Sequence, residues 1–343
     1  MVYYKHMSDS NIQFMAIGDV LADSFIKLKD AEVSCDIDSV NCRISMRWGD
    51  KIPYDSVEVV KAVGNGPNAA TSAARLGLRS AAMCHVGNDE LGQDTIATLK
   101  ENNVITDFVT IEDGLATNHH YVLSFNAERT ILINHAEFTY NLAQQIGDTV
   151  PEWIYFTSVG EHGLPYHDDI VNWVKEHNIK MAFQPGTFQI SLGAEKLKNV
   201  YEACEVFFCN VEESQRILNT DSRDLPTLLR GIHDLGPEIV FITDGPDGAY
   251  AYDAHNNEMW FMPIYPDPKP PVERTGAGDA FSSTATAALA AGKSVAEAIA
   301  WGPINSMNVV QHIGAQAGLL SRDELLKYLE DAPENYVVQK IEG

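Results

Sequence analysis

Cysteine is scarce: five residues in 343, at positions 35, 42, 84, 204 and 209. They are odd in number, too sparse for a disulfide scaffold and without the paired CxxC spacing of a zinc site, so reduced thiols in a reducing cytoplasm are expected. Positive charge is also short. Twenty-four basic residues against 48 acidic ones give a formal net charge of -24, which repels phosphate backbones and anionic lipid surfaces. No local basic patch offsets it; the nearest pair, Lys196 and Lys198, reads as the solvated face of a short helix. Neither nucleic acid nor a membrane is therefore an expected partner. The longest run of small, apolar residues, Ala285 to Ala291, is too short to span a bilayer. Met1 to Asn11 is polar and carries no visible secretory signal. Internal repeats, long linkers and the phosphate-cradling pattern GxxxxGK[ST] are all missing.

What is present is a regular alternation. Hydrophobic residues make up 45% of the chain, enough for a large core. Strand-length apolar runs occur at Phe14 to Ile17, Ala81 to Val86, Trp153 to Thr157, Lys180 to Phe183, Val206 to Cys209 and Ile239 to Ile242. Helical patterns fill gaps between them, at Pro67 to Leu76, Leu91 to Glu101, His167 to His177, Glu212 to Leu218 and Leu225 to Leu235. This rhythm predicts an α/β fold with a mostly parallel sheet covered by helices on both faces. Two stretches, about 21–63 and 115–135, break it. The second reads as a hairpin, Tyr121 to Phe125 and Thr130 to Ile133, turning at Asn126-Ala127-Glu128-Arg129. Strands outside the main sheet would form a small β lid over the C-terminal strand edges, where open α/β sheets bind ligands. A further short hairpin after Tyr250 and a Pro-rich connection, Pro263 to Pro271, complete the pattern. One domain spanning 1–343, with a lid, is expected.

Two glycine motifs carry the chemistry. Thr275-Gly276-Ala277-Gly278-Asp279 opens an Ala-rich helix that stops at Gly292. At a helix N-terminus, unpaired N–H groups and the positive end of the dipole converge, and glycines admit an anion close to the backbone. Asp279 lies in the first turn, where that field favours its ionised form and readies it to accept a proton. A tight turn followed by an ordinary first-turn acid would read the same way. Nearer the N-terminus, Gly64-Asn65-Gly66-Pro67-Asn68 leads into another helix, with Pro67 suited to its first position. Asn65 and Asn68 would offer amides to neutral hydroxyls, or Asn68 would simply cap a turn.

In this order, the two motifs resemble the two signatures of the ribokinase-like (PfkB) carbohydrate kinase family. The resemblance to the family extends through Gly87-Asn88-Asp89-Glu90-Leu91-Gly92, Glu128-Arg129-Thr130, Asn210-Val211-Glu212-Glu213, Thr243-Asp244-Gly245-Pro246-Asp247-Gly248 and Gly314-Ala315. The resemblance implies a three-layer α/β/α kinase with a β lid that transfers phosphate from ATP to a hydroxymethyl group of a ribose- or fructose-like sugar. Phosphoryl transfer needs alignment and charge neutralisation more than covalent chemistry. Asp279 is then the general base, and the backbone of Gly276, Ala277 and Gly278 the anion hole. Asn210 and Glu213 would organise Mg2+ through waters, because Mg2+ gives up its waters reluctantly. Thr243, Gly245, Gly248, Thr275 and Asn308 are expected at the nucleotide. Asp23, Gly64, Asn65 and Asn68 are expected at the sugar, with His119 and Tyr121 as lid additions; Asp19 competes with Asp23. His119-His120 lacks a further histidine at zinc spacing.

Three positions depart from the family pattern. Glu273 stands where many relatives have an aspartate that helps build a monovalent-cation site, so activation by K+ is left open. Gln184-Pro185-Gly186 replaces an Asp-x-Asn element and removes a charge, and Asn65 replaces a paired glycine. Two other functions stay open: a nucleoside kinase, with Phe25, Trp48 and Tyr54 available to stack on a base, and a catalytically silent sugar-binding regulator. Exposed lid edges favour pairing with a second subunit, and the family resemblance implies a homodimer.

Overall fold

The computed structural model describes residues 11–35, 42–125 and 128–342. Its centre is a 10-stranded sheet. From Val109–Glu112 at one edge, parallel strands run through Ser80–Gly87, Phe14–Ile17, Trp153–Phe156, Lys180–Phe183 and Val206–Asn210 to Ile239–Thr243. Ala249–Asp253, Glu258–Met262 and Gln339–Ile341 then add antiparallel strands at the other edge.

Alternation along each strand divides the core in two. Phe14, Ala16, Trp153, Tyr155, Val206 and Phe208 join one cluster, with the helices Asn65–Arg75, Ala277–Ala290 and Val295–Val309 over them. Met15, Ile17, Ile154, Phe156, Phe207 and Cys209 join the other, under the helices Leu164–His177, Val211–Leu218 and Leu225–His233. Both faces of the sheet are thus buried, which is why these strands read as continuous apolar runs. The predicted α/β/α layering is observed. Four of the five predicted helices start one to three residues earlier than their apolar patterns, some behind polar caps that lie outside the pattern, such as Asp89, whose Oδ1 accepts from Gly92 N at 2.7 Å; Leu225–His233 starts where expected.

Both interrupting stretches contribute to one 4-stranded sheet, ordered Tyr54–Val63, Leu21–Leu28, Asn118–Phe125 and Glu128–Leu132. It is the expected β lid, though Asn126 and Ala127 of the predicted turn lie outside the described residues. A small hairpin, Glu32–Ser34 with Arg43–Ser45, extends the first stretch. At its end Cys35 and Cys42 form a disulfide, against the expectation of reduced thiols. Their wide spacing hid the pairing, which only the hairpin creates. Cys84, Cys204 and Cys209 are buried free thiols. Among the described residues no helix is long and apolar enough to cross a membrane.

Candidate active site

The C-terminal ends of the parallel strands release Gly18-Asp19, Ser158, Gln184, Asn210 and Thr243 toward one crevice. Into it points the N-terminus of Ala277–Ala290. Gly276 caps this helix in a left-handed conformation, φ 81°, and offers no side-chain cap; in the first turn Ala277 N reaches Arg274 O only at 3.5 Å, and no side chain caps the other N–H groups. A Cβ at Gly276 would lie 2.3 Å from the Ala315 Cβ, whereas one at Gly278 would meet only Gln184 Nε2, at 3.9 Å. Glycine is therefore required at 276 by backbone and by space.

Asp279 sits in an amide cradle. Asn65 Nδ2 and Gln184 Nε2 each donate to Oδ1 at 3.1 Å, and Asn68 Nδ2 donates to Oδ2 at 2.8 Å. Burial pushes the carboxyl above its usual range, and the Asn68 and Gln184 bonds pull it back. The net direction is upward, so desolvation outweighs the helix field that the sequence suggested would favour the ionised form. Asn65 and Asn68, expected to face neutral hydroxyls, instead hold this carboxylate. The sequence marks Gln184 only as a lost charge, and nothing in it marks Gln316, whose Nε2 donates to Asn68 Oδ1 at 3.0 Å. Tyr155 and Ser282 hydroxyls donate to Gln184 Oε1 and fix its orientation.

Gly64, with φ +117°, caps the Asn65–Arg75 helix, and a Cβ there would press on Asp19 O at 2.5 Å. The helix begins at Asn65, so Pro67 is its third residue and not its first.

On the lid, pairing register decides which side chains face the crevice. Asp23 is opposite His120 and Val60, and Val60 lies against Gly314. Ser24 is opposite Tyr121 and Val59, on the outer face. Asp23 thus faces the crevice, while His119 and Tyr121 face away: His119 Nε2 bonds Ser24 Oγ at 2.8 Å and stacks on Tyr121. The expectation that these two face the crevice is corrected by one residue of register, and His120 faces it instead. Its Nδ1 lies 3.8 Å from Asp23 Oδ1, and its buried Nε2 has no hydrogen-bond partner. Burial, with His135 and His119 nearby, holds it down to about 4. Asp23 is pushed up to about 6 by burial and by the Glu273 carboxylate, with Arg129 opposing. Asp19 is engaged internally, accepting from Tyr140 OH at 2.7 Å with His135 Nδ1 at 3.6 Å. Of the two acids, Asp23 is the less committed.

On the far side of the Ala277 turn lies a cleft of about 410 Å³. Asn210, Thr243, Gly245 and Gly248, the residues expected at a nucleotide, line it together, with Ala277, Gly278, Pro303, Ser306, Met307 and Val310. Gly245 and Gly248 have positive φ, 51° and 101°. Asn308 does not line it, because its Nδ2 donates to Gly318 O at 2.7 Å. The Thr275 hydroxyl likewise turns to Glu273 and Arg129. At the cleft edge Asn210 and Glu213 cap their helix reciprocally, Glu213 N donating to Asn210 Oδ1 and Asn210 N to Glu213 Oε2. Burial pushes Glu213 up, opposed by the Asn210 N–H and by Arg216, with the Asp279 charge adding to the rise. No group of three His, Cys, Asp or Glu capable of holding a metal occurs among the described residues.

An uncapped helix N-terminus, a cradled carboxylate and a cleft on one side with an acidic lid on the other define a phosphotransferase acting on an alcohol group. The model of the pfkB family carbohydrate kinases matches residues 49–322, and the chain belongs to that family. The Bacillus subtilis ribokinase is 28% identical over 276 residues, 78% of this chain and 87% of that protein. Among solved structures, Arabidopsis thaliana ribokinase complexed with ribose and ATP superposes with a TM-score of 0.78 at 17% identity, covering 93% of this chain and 99% of its own. A nucleoside kinase of Methanocaldococcus jannaschii gives 0.74 at 17% identity, covering 93% and 98%.

Proposed function

We propose that the chain transfers the terminal phosphoryl group of ATP to a hydroxymethyl group of a small ribose- or fructose-like sugar. The observation that carries this reading is Asp279, placed between the nucleotide cleft, to which its neighbour Gly278 belongs, and the crevice faced by Asp23. ATP would lie along the cleft with its phosphates toward the N–H groups of Gly276, Ala277 and Gly278. The sugar would lie between Asp23, His120 and the Gly64 turn. Its hydroxyl must displace at least one amide from Asp279; once it does, the carboxylate removes the proton as oxygen attacks phosphorus. Desolvation helps, because a raised pKa makes a stronger base. Asn210 and Glu213 would hold Mg2+ through water, and the ion would neutralise phosphate charge.

Two observations favour a sugar over a nucleoside. The crevice wall is polar, with Asp19, Asp23, His120 and Tyr140, and of the aromatic candidates Trp48 is fully exposed and Tyr54 more than half exposed. Phe25 alone shares the Asp23 face of its strand and keeps the nucleoside reading open. A silent regulator would have no need of a cradled base. Val59, Tyr121 and Leu132 form an exposed apolar row across the outer face of the lid. This supports a homodimer formed through the lid.

The test is ADP release across a panel of pentoses, hexoses, sugar acids and nucleosides. Turnover of a pentose or ketohexose is expected. Turnover confined to nucleosides would replace the sugar, and ATP binding with no turnover of any acceptor would favour the regulator.

A further inference from the structure

The monovalent-cation site implied by the family resemblance does not fit the residues present. Glu273 occupies its acidic position, and both its oxygens are taken. Oε1 accepts from Arg129 Nη1 at 2.9 Å, from Thr275 N at 3.3 Å and from the Thr275 hydroxyl; Oε2 accepts from Gly314 N at 3.1 Å. The nearby Val310 carbonyl is also engaged, accepting from Val272 N at 2.8 Å and Glu273 N at 3.3 Å. A hard cation needs several oxygen lone pairs at once. Here it would have to displace N–H and O–H donors and settle beside a guanidinium. The extra methylene of glutamate explains the reach, since it carries the carboxylate to the Gly314 N–H and to Arg129 together.

A positive charge is therefore already built in. Arg129 comes from the lid strand Glu128–Leu132, and the same Nη1 also donates to Thr275 Oγ1 at 2.5 Å, one residue before Gly276. Its side chain is 41% exposed and that of Glu273 18%, so the pair is partly screened. What distinguishes it from an ordinary surface pair is that two backbone N–H groups fix the carboxylate. Arginine also suits the place because its charge persists at every working pH and its planar fork keeps a set direction.

Resting on the kinase reading, we propose that Arg129 is the resident cation of the anion-hole loop. Its guanidinium does the work of a bound K+: it neutralises Glu273, steadies Thr275, and through them holds the Gly276 to Gly278 backbone in place. The enzyme is then independent of monovalent cations. Arg129 acts here as a positioning residue.

The test compares KCl, NaCl and choline chloride at equal ionic strength, using the full chain. Turnover of the acceptor found by the panel and the affinity for ADP are both measured. Wild-type values should agree within about twofold across the three salts. Arg129→Ala should lose about tenfold or more in kcat in choline, with its thermal unfolding midpoint unchanged, and should recover in part when millimolar guanidinium or K+ is added. Arg129→Lys should keep most of the activity. The proposal is overturned if wild-type turnover or ADP affinity rises several-fold in K+. It is equally overturned if Arg129→Ala keeps full activity in choline, or loses activity that neither cation restores. ADP binding needs no acceptor, so it decides the question even where the substrate assignment fails.

Discussion

Gln316 Nε2 donates to Asn68 Oδ1 at 3.0 Å and to Ala62 O at 2.7 Å, and so determines which end of the Asn68 amide faces Asp279. With its oxygen engaged there, Asn68 turns Nδ2 to the carboxylate. Gln316→Ala removes this constraint without touching the crevice. We expect kcat to fall about three- to tenfold, the worth of roughly one hydrogen bond, with KM for ATP unchanged. Steady-state kinetics separate the two parameters, and an unaltered kcat would show that Asn68 needs no orienting partner.

Asp279→Asn should lower turnover by about a thousandfold or more, while ADP affinity, read by calorimetry, stays within a few-fold of wild type. Near-normal turnover would remove Asp279 from the role of base.

Acid should weaken acceptor binding through Asp23. Its folded pKa is raised to about 6, so below that value the carboxyl is protonated and loses acceptor capacity. Of the groups around it, Glu273 raises the value and Arg129 lowers it, while His120, held down to about 4, stays neutral as Asp23 titrates. KM for the sugar should therefore climb as pH falls through about 6, with kcat at saturation less affected. In Asp23→Asn that limb of the profile should vanish and KM should be high throughout. A profile identical in wild type and variant would contradict the assignment.

Gly276→Ala meets two obstacles, a left-handed φ of 81° and the Ala315 methyl group 2.3 Å from the new Cβ. The backbone penalty alone is about 1–2 kcal/mol, and overpacking adds a comparable amount. Loss of stability in chemical denaturation, together with a much larger loss of turnover, is the expected pair of results.

For the lid, Tyr121→Asp with Leu132→Lys places charges in the exposed apolar row. Light scattering is expected to report a dimer for the wild type and a monomer for the variant. A wild-type monomer at micromolar concentration would dismiss the interface.

The layered fold was legible because buried parallel strands are apolar throughout, and six of them announced themselves with ends within one residue or so of those observed. Lid geometry was harder to read. His119 and Tyr121 are expected at the sugar only as lid residues, yet in a strand a single position reverses the face, and only pairing of Asp23 with His120 sets that parity. Asn308 failed for a related reason: helix phase points it at Gly318 O while Ser306 and Met307 reach the cleft. Gln184 and Gln316 were illegible as partners because nothing local marks a side chain whose contact is 95 or 248 residues away.

Those separations have a kinetic side. The cradle of Asp279 draws on Asn65 and Asn68, 214 and 211 positions upstream, and on Gln184 at 95, and Asn68 relies in turn on Gln316. No short fragment of the chain contains this cluster, and contacts so remote in sequence close only when sheet and helices have already docked. During renaturation, activity should thus return after the far-ultraviolet signal of secondary structure, making turnover a late and stringent reporter of native assembly.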